Sequence, residues 1–301
     1  MAKLYGGIEA GGTKFVCLVG ASPEQVVKEA RFPTTAPQHT LQQVTTFFAP
    51  YLQKGELAAV GIGSFGPLDL DPRSPTHGWI TTTAKPGWAQ LDLQARLTRE
   101  LGVPVTMDTD VNAAAFGEYY WPKTNQGHDP LVYVTVGTGI GMGAVVGGKP
   151  LHGMIHPEAG HMWVPHNLEK DPFPGNCPYH GNCLEGLAAG PGMAQRWGRP
   201  AEELPADHPG WELEAHYLAL AVCNLIYALS PQRVVLGGGV CQHAGLLPKV
   251  RQKVARQING YLYSRRLQDG IDDYITLPAL GHRSGVLGAL ALAITAQAPA
   301  A

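Results

Sequence analysis

Two segments of this chain share one layout, and that duplication constrains its fold more than any other feature. KLYGGIEAGGTKFVCLVG, from Lys3, and LVYVTVGTGIGMGAVVGG, from Leu131, each pass from an apolar run through a glycine turn into a second apolar run. The residues after each turn are β-branched or small, with no capped helical pattern, so both segments read as β-hairpins. A Walker loop or a Rossmann fingerprint would lead from its glycines into a helix, and the Gly-Lys-Ser/Thr ending of the former is missing. Equivalent glycine-tipped hairpins far apart in the chain predict two related halves facing one another.

The intervening sequence fits α/β halves. AAVGIGSFGPLDL, from Ala58, reads as a strand leaving into a Gly-Pro loop, and PVTMDTDVNAAAFGEYYW, from Pro104, as a strand ending at Asp110. A helix then opens near Asn112, a good N-cap residue followed by strongly helix-forming alanines. Trp211 to Leu229 reads as a helix leading into the strand RVVLGGGV, and Gly285 to about Gln297 as a closing helix. No low-complexity linker appears, so any domain boundary is a hinge.

The 301 residues, 45% of them apolar, suffice for two cores. Twenty-two basic against 24 acidic residues give a net charge of -2, with no terminal run of either sign. That leaves no electrostatic footprint for nucleic acid or an anionic membrane. MAKLYGGIEAGG lacks the apolar core of a signal peptide, and YLALAVCNLIYALS and GVLGALALAITA fall short of the ~20 residues a membrane span needs. The expectation is a soluble cytoplasmic protein, in which five cysteines do not form a disulfide framework.

Four groups of residues carry chemistry. Cys177-x-x-His180-x-x-Cys183 supplies thiolate and imidazole, the donors zinc prefers, in a Pro/Gly-rich segment that needs a cross-link to hold a shape. His152, His156, His161 and His166 compete for the fourth position; a solvated His-rich loop is the plainer reading. The turns Gly11-Gly12-Thr13-Lys14 and Gly137-Thr138-Gly139 aim backbone N–H groups and threonine hydroxyls at an anion between the hairpins. Gly237, Gly238 and Gly239 follow a strand and let the backbone approach a flat ligand.

Asp110 stands at a strand end beside a helix N-terminus, where open α/β folds place their chemistry, and it could accept an alcohol proton in phosphoryl transfer. Asp108, two residues earlier, competes for that role. Glu158 and Glu185 bracket the cysteine cluster and suit sugar hydroxyls, with surface ion pairs as the ordinary alternative.

GIEAGGTK, GIGSFGPLD, DTDVNAAAFGE, VTVGTGIG, HPEAGH, CPYHGNCLEG and VVLGGGV together resemble the ROK family of sugar kinases and repressors, from Gly7 to Val240. CPYHGNC resembles especially the zinc-containing bacterial fructokinases of that family. The resemblance implies an α/β, actin-like (ribonuclease H-like) duplicated two-domain sugar kinase fold with an interdomain cleft. Residues 1–118 would form the first domain, completed by the helix 285–301, and 119–284 the second, carrying the zinc loop.

The resemblance further implies ATP with Mg²⁺, a structural Zn²⁺ and a homodimer. Asp110 becomes the general base, with Gly11 to Thr13 and Gly137 to Gly139 at the ATP phosphates and Gly237 to Gly239 near the adenosine. Glu158, His161 and Glu185 fall on sugar positions, and His161, Cys177, His180 and Cys183 on zinc ligands. His161 can serve both, one ring nitrogen for each.

Two departures bear on the substrate. Glu9 replaces the Asp of many members near the metal and phosphates. Thr109 replaces the Asn that glucokinases of the family carry before the base, and TTTAKPGW, with Lys85, replaces their Asn-containing loop. The implied activity is therefore phosphorylation of D-fructose, ahead of glucose, mannose or an N-acetylhexosamine. A repressor is disfavoured because the hairpin begins by Gly6 and leaves no room for a DNA-binding segment. A catalytically silent sugar sensor is disfavoured by the intact Asp110 and phosphate turns.

Overall fold

Leu4–Ala10 pairs antiparallel with Lys14–Gly20, and Leu131–Val136 with Ile140–Val146, so both glycine segments are the hairpins their residues predict. The computed structural model describes residues 3–298. In the first five-stranded sheet the order is Val26–Pro33, Lys14–Gly20, Leu4–Ala10, Leu57–Ser64 and Val105–Thr109, the last three parallel. The second runs Lys149–Pro150, Ile140–Val146, Leu131–Val136, Arg233–Gly237 and Ile275–Thr276, again with its last three strands parallel. Each sheet is thus a hairpin extended by parallel strands, a duplicated actin-like α/β arrangement.

Alternation sorts each hairpin between two cores. In the first sheet Phe15, Cys17 and Val19 face a cluster with the helices Pro37–Gln53 and Leu93–Leu101, whereas Val16 and Leu18 pack on the closing helix Ser284–Thr295. In the second, Val132, Val134 and Val136 face the helices Gly210–Leu229 and Leu246–Ile258. Leu131 and Tyr133 turn the other way, onto Ala113–Phe116 of the helix Asp110–Tyr120 and onto Ala291 and Leu292. Period-two exposure to two apolar layers explains why these strands have almost no polar face.

The helices Asp110–Tyr120 and Ser284–Thr295 therefore lie between the sheets. Their contact is backbone-close: a β-carbon on Gly288 would overlap the Ala113 carbonyl, and one on Gly117 would stand 2.7 Å from the Ser284 carbonyl oxygen. Gly288→Ala is expected to destabilise the protein by roughly 1–3 kcal/mol through overpacking. A lower urea midpoint at unchanged m-value would show it.

The bridging helix begins differently from the sequence expectation. Its cap is Thr109, whose backbone is extended and whose hydroxyl accepts from Asn112 N at 3.0 Å. The strand accordingly ends at Thr109, and Asp110 is the first helical residue. Asn112 lies inside the helix, fully buried, donating to Asp108 Oδ1 and Leu151 O and accepting from Ala144 N. Its amide ties the helix to the second sheet and is not available as a cap. All five cysteines are free, and among the described residues no helix is long and apolar enough to cross a membrane.

Candidate active site

Asp110 begins the bridging helix at the end of the first sheet, which places it between the two hairpins. It lines two adjoining cavities. One, of about 740 Å³, holds Thr109, Glu158, His161, Glu185 and the turn Gly137–Gly139; the other, of about 450 Å³, holds Glu9, Lys14, Gly238, Gly239 and Ser284. A third, of about 810 Å³, joins them through Gly137, Thr138, Gly239 and Gln242.

Burial, and then the neighbouring Glu9 carboxylate, push Asp110 up to about 7, against the pull of the Val111 N–H that donates to its Oδ1 at 2.9 Å. A carboxylate held near neutrality is suited to taking a proton. Asp108 is different. Its Oδ1 accepts from Thr109 N and Asn112 Nδ2, its Oδ2 lies 2.9 Å from His152 Nε2, and it lines none of these cavities.

On the larger cavity, Glu185 Oε2 accepts from Ile140 N at 2.9 Å, linking the helix Leu184–Ala188 to the second glycine turn. Glu158 lies 3.2 Å from His156 Nδ1, and burial together with Glu185 raises its pKa. Neither glutamate pairs with Lys or Arg among the described residues, so the surface ion-pair reading does not apply. Thr109 lines the cavity with its hydroxyl oxygen occupied as a cap. The loop from Thr81 contributes Thr82, Thr83 and Ala84; Lys85, singled out from the sequence, does not reach the cavity.

His161, Cys177, His180 and Cys183 converge, with all four donor atoms within 4.8 Å of one another. Cys183 Sγ and Cys177 Sγ lie 3.5 and 3.8 Å from His161 Nδ1, and Cys177 Sγ lies 3.6 Å from His180 Nδ1. Tetrahedral zinc with ordinary bond lengths sets S···N at about 3.6 Å, so the four residues fit that ion. His161 presents Nδ1 to this centre. The competing histidines are engaged elsewhere: His152 with Asp108, His156 with Leu68 N and Glu158, His166 with Asp171 O and Asn182.

The phosphate turns are placed unequally. Gly11, Gly12 and Thr13 form the tip of the first hairpin, closed by Gly11 N to Lys14 O at 2.9 Å, and only Lys14 lines a cavity. Gly238 has φ +88 and a β-carbon there would collide with Val136, so this turn needs glycine. Gly237 is a packing position instead: it sits against the Tyr133 ring and lines no cavity. Burial raises Glu9 despite Lys14 nearby, and Gly285 leaves room for its carboxylate.

Sequence reasoning missed the wall of the third cavity, where Trp211 stacks on His243 with centroids 3.8 Å apart and planes 14° apart. Only the fold brings them together. His156, a rival zinc ligand by sequence, instead accepts from Leu68 N and lies beside Glu158.

A two-lobed actin-like scaffold, with a carboxylate between a glycine-turn cleft and a carboxylate- and histidine-lined pocket, defines a sugar kinase. The chain belongs to the ROK family, whose sequence model matches residues 5–296. It is 43% identical over 296 residues to a fructokinase of Streptococcus mutans, covering 97% of this chain and 98% of that one. It is 43% identical over 302 residues to a fructokinase of Zymomonas mobilis, covering 98% of each. Among solved structures, the ROK hexokinase of Thermus thermophilus superposes with a TM-score of 0.78 at 27% identity, over 97% of this chain and 98% of that one.

Proposed function

We propose that this chain is an ATP-dependent fructokinase that makes fructose 6-phosphate, with Asp110 as the general base. The observation that carries this reading is the place of Asp110, shared by the cavity of Glu158, His161 and Glu185 and the cavity of Glu9, Lys14 and Gly238. A hexose in the former puts its primary hydroxyl at Asp110. The carboxylate takes the proton as the hydroxyl oxygen attacks the γ-phosphorus in line and ADP leaves. Lys14, Thr138 and the backbone N–H groups of the glycine turns balance charge on the phosphates.

Mg²⁺, when bound with ATP, would neutralise the phosphate oxygens; the buried Glu9 carboxylate, on the cavity it shares with Lys14, is the oxygen donor that would hold it. Zn²⁺ would be held by His161 Nδ1, Cys177, His180 and Cys183 and would supply a cross-link, leaving His161 Nε2 for a sugar hydroxyl. Fructose is favoured over glucose by Thr109, whose capped hydroxyl replaces the amide of the family's glucokinases. A homodimer in the cytoplasm accompanies the reading, from the family resemblance.

ADP release with ATP and Mg²⁺ tests it, comparing fructose, glucose, mannose and N-acetylglucosamine. The largest kcat/KM is expected for fructose. A win by another sugar overturns the fructose assignment, and silence with all four overturns the kinase.

His156 positions Glu158 in this scheme. Its Nε2 accepts from Leu68 N at 3.0 Å across the cleft, which makes Nδ1 the protonated nitrogen and sets it 3.2 Å from Glu158 Oε1. His156→Ala orphans a buried N–H and frees Glu158, so the fructose KM is expected to rise roughly tenfold while the ATP KM holds. Equal changes in both constants would mark a merely structural role.

A further inference from the structure

Away from the cleft, a cavity of about 510 Å³ is lined by His128, Arg233, Arg265, Arg266, Asp269 and Asp273, among others. It opens at the start of the strand Arg233–Gly237, whose far end carries the nucleotide-side glycines about 15 Å away. Its volume is that of a small-molecule site.

The charges in it are poorly matched. None of the three arginines forms an ion pair with a carboxylate among the described residues. Arg233 donates to Asn125 Oδ1 at 2.9 Å and stands 3.4 Å from His128 Nε2. Arg266 donates to the backbone and side-chain oxygens of Gln232. Arg265 has no side-chain hydrogen bond among the described residues, which leaves its whole donor fork free. Burial lowers the Arg233 pKa; the Asp273 carboxylate opposes this, and Arg266 adds to it.

Three clustered guanidinium groups whose hydrogen bonds all go to neutral partners, with the Arg265 fork free, offer donors to an anion with several acceptor oxygens. Phosphate supplies pairs of oxygens that the planar guanidinium fork of arginine binds bidentately. Asp269 and Asp273, on the same wall, would repel a bare polyanion but accept from hydroxyl groups. We infer that this cavity is a second binding site, separate from the catalytic cleft, for a small phosphate-bearing polyol of the sugar phosphate class.

The site is not isolated from the catalytic parts. Asn125, held by Arg233, donates to Glu118 O and Oε2 at 2.8 and 3.2 Å. Glu118, fully buried on the bridging helix, accepts from Ala279 N, Leu280 N and Ser284 Oγ. Ser284 lines the cavity that holds Glu9 and Asp110.

Calorimetric titration of the full chain with inorganic phosphate and with fructose 6-phosphate tests the site, whichever sugar the cleft phosphorylates. Arg265→Gln with Arg266→Gln is expected to remove one fructose 6-phosphate binding event or weaken it at least tenfold, while titration with a non-hydrolysable ATP analogue is unchanged. Asp269→Asn is expected to tighten inorganic phosphate severalfold by removing a like charge. Identical fructose 6-phosphate isotherms in the wild type and the double variant overturn the site. Inorganic phosphate binding as tightly as the sugar phosphate overturns its polyol part.

Discussion

Asp110→Asn is expected to lower kcat roughly 10²- to 10⁴-fold, the range that a positioned general base contributes. The amide keeps the shape of the side chain and can still accept from Val111 N, so the helix N-terminus is preserved and sugar binding stays measurable. The pH profile makes the assignment sharper. A base works in its deprotonated form, and burial with Glu9 holds Asp110 at about 7. For the wild type, kcat/KM should therefore climb about tenfold per pH unit below 7 and level off above it. In the asparagine variant that acid limb should vanish. A variant with near-normal turnover, or one that keeps the limb, would move the base elsewhere. Asp108 would not inherit the role, since its oxygens are committed to Thr109, Asn112 and His152.

The parts of this site legible in the sequence are those whose signal is local. Glycine turns between β-branched runs specify hairpins by themselves, and the Cys-x-x-His-x-x-Cys spacing brings three donors together within one loop. Long-range partners were not legible. The Asp108–Asp110 choice needs the knowledge that Asp108 faces His152 and Asn112, contacts made only when the second sheet packs on the bridging helix. Asn112 competes with Thr109 for the cap on propensity; the extended backbone at the strand end decides for threonine. Gly237 reads like its neighbours in the triplet, yet the Tyr133 ring beside it turns it into a packing position. The sequence put Lys85 into the sugar loop, and the fold keeps only the residues just before it at the cavity wall.

Cys177→Ser is expected to lower bound zinc below one ion per chain, reduce Tm by roughly 5–10 °C, and raise the fructose KM while leaving the ATP KM alone. The serine hydroxyl fits the space but is a poor zinc ligand. The loop it sits in has two anchors. At one, Arg196 grips Asp171 with two hydrogen bonds of 3.0 Å each, and Tyr217 donates to the same carboxylate at 2.5 Å. At the other, His161, Cys177, His180 and Cys183 converge. Loss of the second leaves the first intact, so the damage should be confined to the segment around residues 177–183 and to His161. That confinement predicts the split between the two KM values. The third cavity, walled by Trp211 and His243 and proposed for the adenosine, is built from other elements, whereas His161 and Glu185 both depend on the cross-linked loop. A variant without zinc but with an unchanged fructose KM would reduce the metal to a stability element. A rise in both constants with loss of kcat would mean that the loop holds the lobes as well as the sugar.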